Sequence, residues 1–284
     1  MAYATINDTS LWYEVEGQGP HLLQLHGLGL GHANFAPVTP LLRPDFTVID
    51  YDMRGFGDSD KPPAPYSIEG WADDAIGLLD HLGLDAVDVH GTSFGGMIAI
   101  VMAAKYPDRI KRLVIGCCMA RYDSLAILNK KVWKAMATAT GMGEEVANLI
   151  ASQAFSRAFH DTDRAPAQVA AMGAAFKKND PELWKHFCDL LCEADLTGYL
   201  PQITAPVLVT SGDQDIMTPV DSGPAGVGTR EMVRQLPNAW LELLEGCGHL
   251  HLVERPEESA KLVRDFILDG TISGKTVLAE TDGR

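Results

Sequence analysis

The chain has 284 residues, 46% hydrophobic and 21% charged, a composition that supplies a core and argues against a disordered chain. Its 23 Lys and Arg against 38 Asp and Glu give a formal net charge of −15. Such a surface repels phosphate backbones and anionic lipid, so neither nucleic acid nor a membrane is expected as a partner.

Residues 1–8 show no basic stretch followed by an apolar one, so no secretory signal is read there. No run approaches the ~18 apolar residues that a membrane helix needs. Cys117, Cys118, Cys188, Cys192 and Cys247 lack the spacing of a disulfide framework or a zinc site. A reduced, cytoplasmic protein without a bound metal is the expectation.

Residues 10–16 alternate as a short strand, and residues 21–25 form an apolar strand that runs into His26-Gly27-Leu28-Gly29-Leu30-Gly31. Residues 34–42 are expected to be helical, and 47–51 form the next strand. The turn-rich Asp52-Met53-Arg54-Gly55-Phe56-Gly57-Asp58-Ser59 follows. Apolar residues at helical spacing cover 68–82, a strand covers 86–90, a helix 94–106 and a strand 112–117. Strands separated by helices of this length mean βαβ units and a mainly parallel sheet.

The rhythm changes from about residue 120 to 199, where helical stretches near 125–138, 144–159, 166–177 and 181–191 occur with no strand between them. The sheet pattern returns at 206–210. A helix at 229–235, a strand at 240–244 and a helix at 256–268 complete it, and 270–284 reads as a loose polar tail. The expected organisation is an α/β core of residues 1–119 and 200–284, with 120–199 inserted as a helical cap.

Gly91-Thr92-Ser93-Phe94-Gly95 fits G-x-S-x-G between a strand and a helix, the setting of a nucleophile elbow. Its glycines leave room for a sharp turn at Ser93, and the helix N-terminus behind it favours developing negative charge. A serine hydroxyl needs a base. Of nine histidines, His249 sits in a small-residue loop after a late strand, with His251 as rival; His90 is expected to pack below Ser93. The base needs an acid. Asp215 follows the 206–210 strand and is the first choice, with Asp213 as rival and Asp123 as a weaker alternative. Backbone N–H groups of Phe94 and Leu28 are the expected oxyanion donors, and His26 and Gly27 belong to the same loop beside the substrate. This chemistry requires no metal and no organic cofactor.

These segments, with Ala205-Pro206-Val207-Leu208-Val209, Thr218-Pro219 and Glu254-Arg255-Pro256-Glu257, resemble α/β-hydrolase-fold proteins from about residue 10 to 268. Within that superfamily the chain resembles capped bacterial carboxylesterases and enol-lactonases of the 3-oxoadipate type. The resemblance implies a mainly parallel sheet flanked by helices, a cap over the elbow, and a Ser93–His249–Asp215 serine hydrolase acting on a small, largely apolar ester or lactone. Self-association is left open. C–C bond hydrolases of ring-fission products are near relatives. Their elbow usually carries Asn where Thr92 stands, and their oxyanion loop usually carries Ser-Gly where Leu28-Gly29 stands. A ligand sensor on the same fold is a further alternative. Haloalkane dehalogenases and epoxide hydrolases place Asp at the position of Ser93. Arg54 is expected to brace loops.

The cap's apolar residues (Leu125, Leu128, Trp133, Met136, Met142, Leu149, Phe155, Met172, Phe176 and Trp184) are expected to divide between core packing and pocket, with Trp133 and Met136 assigned to substrate. Arg121, Lys130, Lys131 and Arg157 are the cations there that can meet an acidic group.

Overall fold

A computed structural model describes residues 1–270. Eight strands make one sheet: β1 (Ala2–Ile6), β2 (Thr9–Gly17), β3 (His21–Leu25), β4 (Thr47–Tyr51), β5 (Val87–Thr92), β6 (Ile110–Gly116), β7 (Val207–Gly212) and β8 (Ala239–Leu244). Their spatial order is β1-β2-β4-β3-β5-β6-β7-β8. The first three in that order pair antiparallel, and every pairing from β4 to β8 is parallel.

Parallel strands need covered crossovers, and the side chains show the cover on both faces. Leu23, Ile49, Val89, Leu113 and Val209 point into one core with α2 (Ile68–His81) and α3 (Phe94–Lys105). Their neighbours Leu22, Val48, Val114 and Leu208 point into another, closed by α1 (Thr39–Leu42) and α11 (Pro256–Arg264). The strands therefore read as apolar runs rather than as alternating ones.

Five helices lie between β6 and β7: α4 (Ser124–Thr140), α5 (Glu144–Ala154), α6 (Arg157–His160), α7 (Ala165–Phe176) and α8 (Pro181–Glu193). They bury Trp133, Ile150, Phe176 and Trp184 in a third cluster, which reaches the sheet through Met217 and Leu250. The remaining helices, α9 (Thr229–Gln235) and α10 (His251–Glu254), flank β8.

Four expectations need correction. β1 was not anticipated; it is a short edge strand with three of its five residues exposed. The helix expected over 34–42 is a 3-10 turn, Gly31–Phe35, followed by α1, because Pro37 between them has no N–H to continue a ladder. The helix expected over 144–159 breaks at Phe155, whose extended backbone (φ −93°, ψ 148°) separates α5 from α6. The last helix closes with a π-turn at Asp265–Asp269. Of the tail expected to be loose, residues 271–284 lie outside the described residues.

Candidate active site

The site lies at the C-terminal ends of the parallel strands, where an open α/β sheet presents its loops. Ser93 joins β5 to α3 with φ 53° and ψ −117°, a left-handed conformation costly for a residue with a Cβ. The turn is held by the Ser93 amide donating to Gly116 O at 2.8 Å. Gly95 is dictated by space: a Cβ there would meet Leu25 O at 1.9 Å. That close approach brings the first turn of α3 against the end of β3.

His249 Nε2 stands 3.0 Å from Ser93 Oγ, and His249 Nδ1 stands 2.8 Å from Asp215 Oδ2. Asp215 and His249 are 4% and 5% exposed. Asp215 Oδ1 accepts from the amides of Met217 at 2.8 Å and Thr218 at 3.0 Å, and Oδ2 from Thr218 Oγ1 at 2.6 Å. Burial pushes the Asp215 carboxyl up, but the His249 charge and the bonds from His249 and Thr218 outweigh it. They hold the carboxyl well below the ordinary carboxylate range.

The rivals serve elsewhere. Asp213 is exposed and accepts from the amides of Gly246 at 2.7 Å and Cys247 at 3.3 Å, bracing the loop that carries His249. Asp123 caps α4 through Ala126 N at 2.9 Å. His251 bonds Ser259 Oγ at 2.9 Å through Nδ1, and burial lowers its pKa to about 4. His90 lies buried under the sheet against Phe35, and burial holds it neutral with a pKa of about 3. Arg54 pairs with Asp74 and reaches Asn7 O at 3.2 Å, a brace between loops.

The loop after β3 is fixed by Asn34, whose Oδ1 accepts from Gly27 N at 2.6 Å and from Thr92 Oγ1 at 3.3 Å. Gly27 therefore lies beside the elbow: a Cβ on it would sit 3.7 Å from Ser93 Cβ. The amides of Leu28 and Phe94 donate to no acceptor among the described residues.

A cavity opens at Ser93 and His249, bordered by Gly27, Leu28, Phe94, Thr218 and His251 on the sheet side. The segment between β6 and β7 closes it with Tyr122, Lys130, Trp133, Ile150, Met172, Phe176 and Leu191. Two residues expected at the substrate are placed otherwise. His26 is fully buried, its Nδ1 bonds Gly27 O at 2.9 Å and its Nε2 accepts from Met53 N at 3.1 Å, so its imidazole holds the loop from behind. Met136 packs in the helical cluster and is absent from the cavity wall. Leu125 and Leu128 are 59% and 55% exposed, so they line no pocket.

Sequence reasoning passed over three buried residues. Thr218 and Glu254 lie inside the family-like motifs, which give them no role, and the helix expected over 34–42 includes Asn34. Glu254 accepts from the amides of Gly248 at 3.1 Å and Ser156 at 2.9 Å, and from Ser156 Oγ at 2.6 Å.

Two clusters bring metal-ligating types together: Cys117, Asp215 and His249, and His32, Asp52 and Asp58. In the first, Asp215 and His249 bond each other as described, and Cys117 is a buried free thiol beside them. In the second, Asp52 takes His32 Nδ1 at 3.0 Å and Asp58 N at 2.7 Å, while Lys178 takes Asp58 at 2.8 Å. The imidazoles and carboxylates of both clusters are thus engaged. Among the described residues, no helix is long and apolar enough to cross a membrane.

Residues 20–256 match the family defined by the alpha/beta hydrolase fold, and the chain belongs to that family. It is similar to 3-oxoadipate enol-lactonase 2 of Acinetobacter baylyi, 29% identical over 89% of this chain and 91% of that one. It is also similar to a 2-hydroxymuconate semialdehyde hydrolase of a Pseudomonas species, 30% identical over 89% of this chain and 88% of the other. Among solved structures, the enol-lactonase from Burkholderia xenovorans superposes with a TM-score of 0.82 at 30% identity, covering 93% of this chain and 99% of that one. The chain is thus an α/β-hydrolase-fold protein that resembles enol-lactonases.

Proposed function

We propose that the protein is a serine hydrolase that cleaves a carboxylic ester or lactone through an acyl-enzyme on Ser93. The observation that carries this reading is the unbroken chain from Ser93 Oγ to His249 Nε2 at 3.0 Å and from His249 Nδ1 to Asp215 Oδ2 at 2.8 Å. Ser93 Oγ attacks the carbonyl carbon while His249 Nε2 takes its proton, and Asp215 orients the ring and stabilises the imidazolium. The amides of Leu28 and Phe94 receive the oxyanion. His249 returns the proton to the departing alkoxide oxygen, then deprotonates the water that hydrolyses the acyl-enzyme.

Residues 120–199 serve as a cap in this reading. Trp133, Ile150, Met172 and Phe176 give the cavity an apolar wall that suits a compact, largely apolar acyl or alcohol part. C–C bond hydrolysis is the second reading. Its support is the 30% identity to the semialdehyde hydrolase, which equals the identity to the solved enol-lactonase, so kinship does not rank the two.

Fluorophosphonate labelling with peptide mass analysis tests the nucleophile without knowledge of the substrate. One adduct on Ser93, absent from Ser93→Ala, is expected. Labelling elsewhere, or none on folded protein, overturns the assignment. A product survey with short lactones, esters and a ring-fission diketone then separates the two reactions.

A further inference from the structure

The two amides assigned to the oxyanion are not held alike. That of Phe94 opens α3, where the helix fixes its direction. That of Leu28 belongs to a loop with glycines at 27, 29 and 31, residues that leave a backbone free unless something holds it. Gly27 O accepts from Leu30 N at 3.4 Å, which closes a turn around Leu28 and Gly29, and Gly29 has φ 80°. Asn34 holds the near end of this turn through Gly27 N. The far end is held from the helices between β6 and β7.

Asn179, in the connection from α7 to α8, is 6% exposed and donates from Nδ2 to Gly29 O at 2.8 Å. The same nitrogen lies 3.2 Å from Phe176 O and 3.3 Å from Ala175 O. All three partners are carbonyls, which only accept, so the nitrogen of this amide and not its oxygen faces them. Its two hydrogens serve three acceptors: the two longer contacts share one at the end of α7, and Gly29 takes the other. Ending α7 does not require that shorter bond. Two rings of the same layer press on the loop, since a Cβ on Gly29 would meet Trp184 Cζ3 at 2.8 Å and Phe176 Cε1 at 2.9 Å. The neighbouring Lys178 reaches Asp58 at 2.8 Å, but that pair is exposed and of small worth.

We propose that Asn179 is a positioning residue of the hydrolytic reaction. By fixing Gly29 it fixes the turn that carries the Leu28 N–H. One of the two oxyanion donors is therefore aimed by the helical layer, while the other is aimed by the elbow that bears the nucleophile. The inference rests on the acyl-enzyme reading above. A donor aimed at developing charge acts through a direction set before the reaction, so a loosened one is felt in the transition state more than in the substrate complex.

The test compares Asn179→Ala with the parent in two assays. Butylboronic acid bonds through boron to Ser93 Oγ while His249 takes the serine proton, and the tetrahedral boronate sets its negative charge beside the oxyanion donors. Its dissociation constant is expected to rise about tenfold in Asn179→Ala. With p-nitrophenyl butyrate, kcat should fall by about the same factor while KM stays within about twofold. A residue that merely ends a helix would lower the melting temperature and move neither ratio. Lys178→Met, which severs the adjacent contact with Asp58, should also leave both in place. Unchanged boronate affinity in Asn179→Ala, a loss confined to KM, or equal losses in Lys178→Met overturns the inference; Asn179→Gly, which suits a helix end, supplies the same comparison if Ala perturbs folding. A parent that takes neither butylboronic acid nor a fluorophosphonate at Ser93 overturns the acyl-enzyme reading and this inference with it. A parent that takes both, matched by Asn179→Ala, overturns this inference alone.

Discussion

Thr218 Oγ1 lies 2.6 Å from Asp215 Oδ2, the oxygen that also receives His249 Nδ1 at 2.8 Å. The hydroxyl therefore helps to keep that carboxyl ionised. A depressed carboxyl pKa contributes stability above the unfolded value, and this contribution is lost as pH falls through the folded one. Thr218→Val removes one of the bonds that depress it, so the loss begins at a higher pH. A drop of about 1 kcal/mol in stability near neutral pH is expected. In the hydrolytic reading the acid limb of kcat/KM moves upward. Melting curves and a rate profile from pH 4 to 8 check both.

Ser93 occupies φ 53°, a region that strains any residue with a Cβ. Strain of this kind costs on the order of 1–3 kcal/mol. Ser93→Gly relieves it and is expected to raise stability by about 1 kcal/mol, after the entropy lost in ordering glycine. Ser93→Ala keeps the Cβ and gains little. Both should abolish turnover. Chemical denaturation of the two variants beside the parent measures the difference, and equal midpoints for Gly and Ala would contradict it.

Asn34 holds Gly27 N at 2.6 Å. Asn34→Leu keeps the bulk but leaves that buried amide without its acceptor, a loss of about 1–3 kcal/mol. If the loop supplies the Leu28 amide to an oxyanion, kcat should fall by about 10²-fold with little change in KM. Steady-state kinetics on a chromogenic ester read this directly.

Burial pushes the Asp50 carboxyl up to about 7, with Thr39 Oγ1 its hydrogen-bond donor at 3.0 Å. A raised folded pKa favours the protonated form. Its stabilisation is complete below the unfolded value of 3.8 and is lost as pH rises through about 7. Asp50→Asn mimics the protonated state. It should flatten the decline in melting temperature between pH 4 and 8, and exceed the parent at pH 8 by on the order of 2 kcal/mol.

The parts legible in the sequence were those with a local physical cause. Strands buried on both faces announce themselves as apolar runs, as Val207–Gly212 does. Gly91 and Gly95 mark the turn at Ser93 because no larger residue fits there. The break at Phe155 was not legible. It comes from docking, with Ala154 O accepting from Leu250 N at 3.2 Å and Ser156 N reaching Glu254, and helical periodicity carries no trace of either contact. The choice between Asp213 and Asp215 also needs three dimensions, since both follow one strand and only burial and the contact with His249 separate them. The sequence does not separate Lys130 from Arg121, Lys131 and Arg157, whereas its burial does. His26 and Met136 were misplaced for the same reason, because proximity in sequence does not tell which side of a loop or helix faces a cavity.

Glu254 ties two distant stretches of chain together, and this sets a condition on redesign. Its buried carboxylate is satisfied by Gly248, next to His249, and by both the amide and hydroxyl of Ser156, between α5 and α6. A chimera that exchanges the segment between β6 and β7 for that of a relative must bring a hydroxyl to position 156. Without one, a carboxylate oxygen loses its donor in the interior, and the imidazole is disturbed through its neighbour Gly248. The helical layer is thus not a freely transplantable part: residues 156 and 254 have to be inherited as a pair.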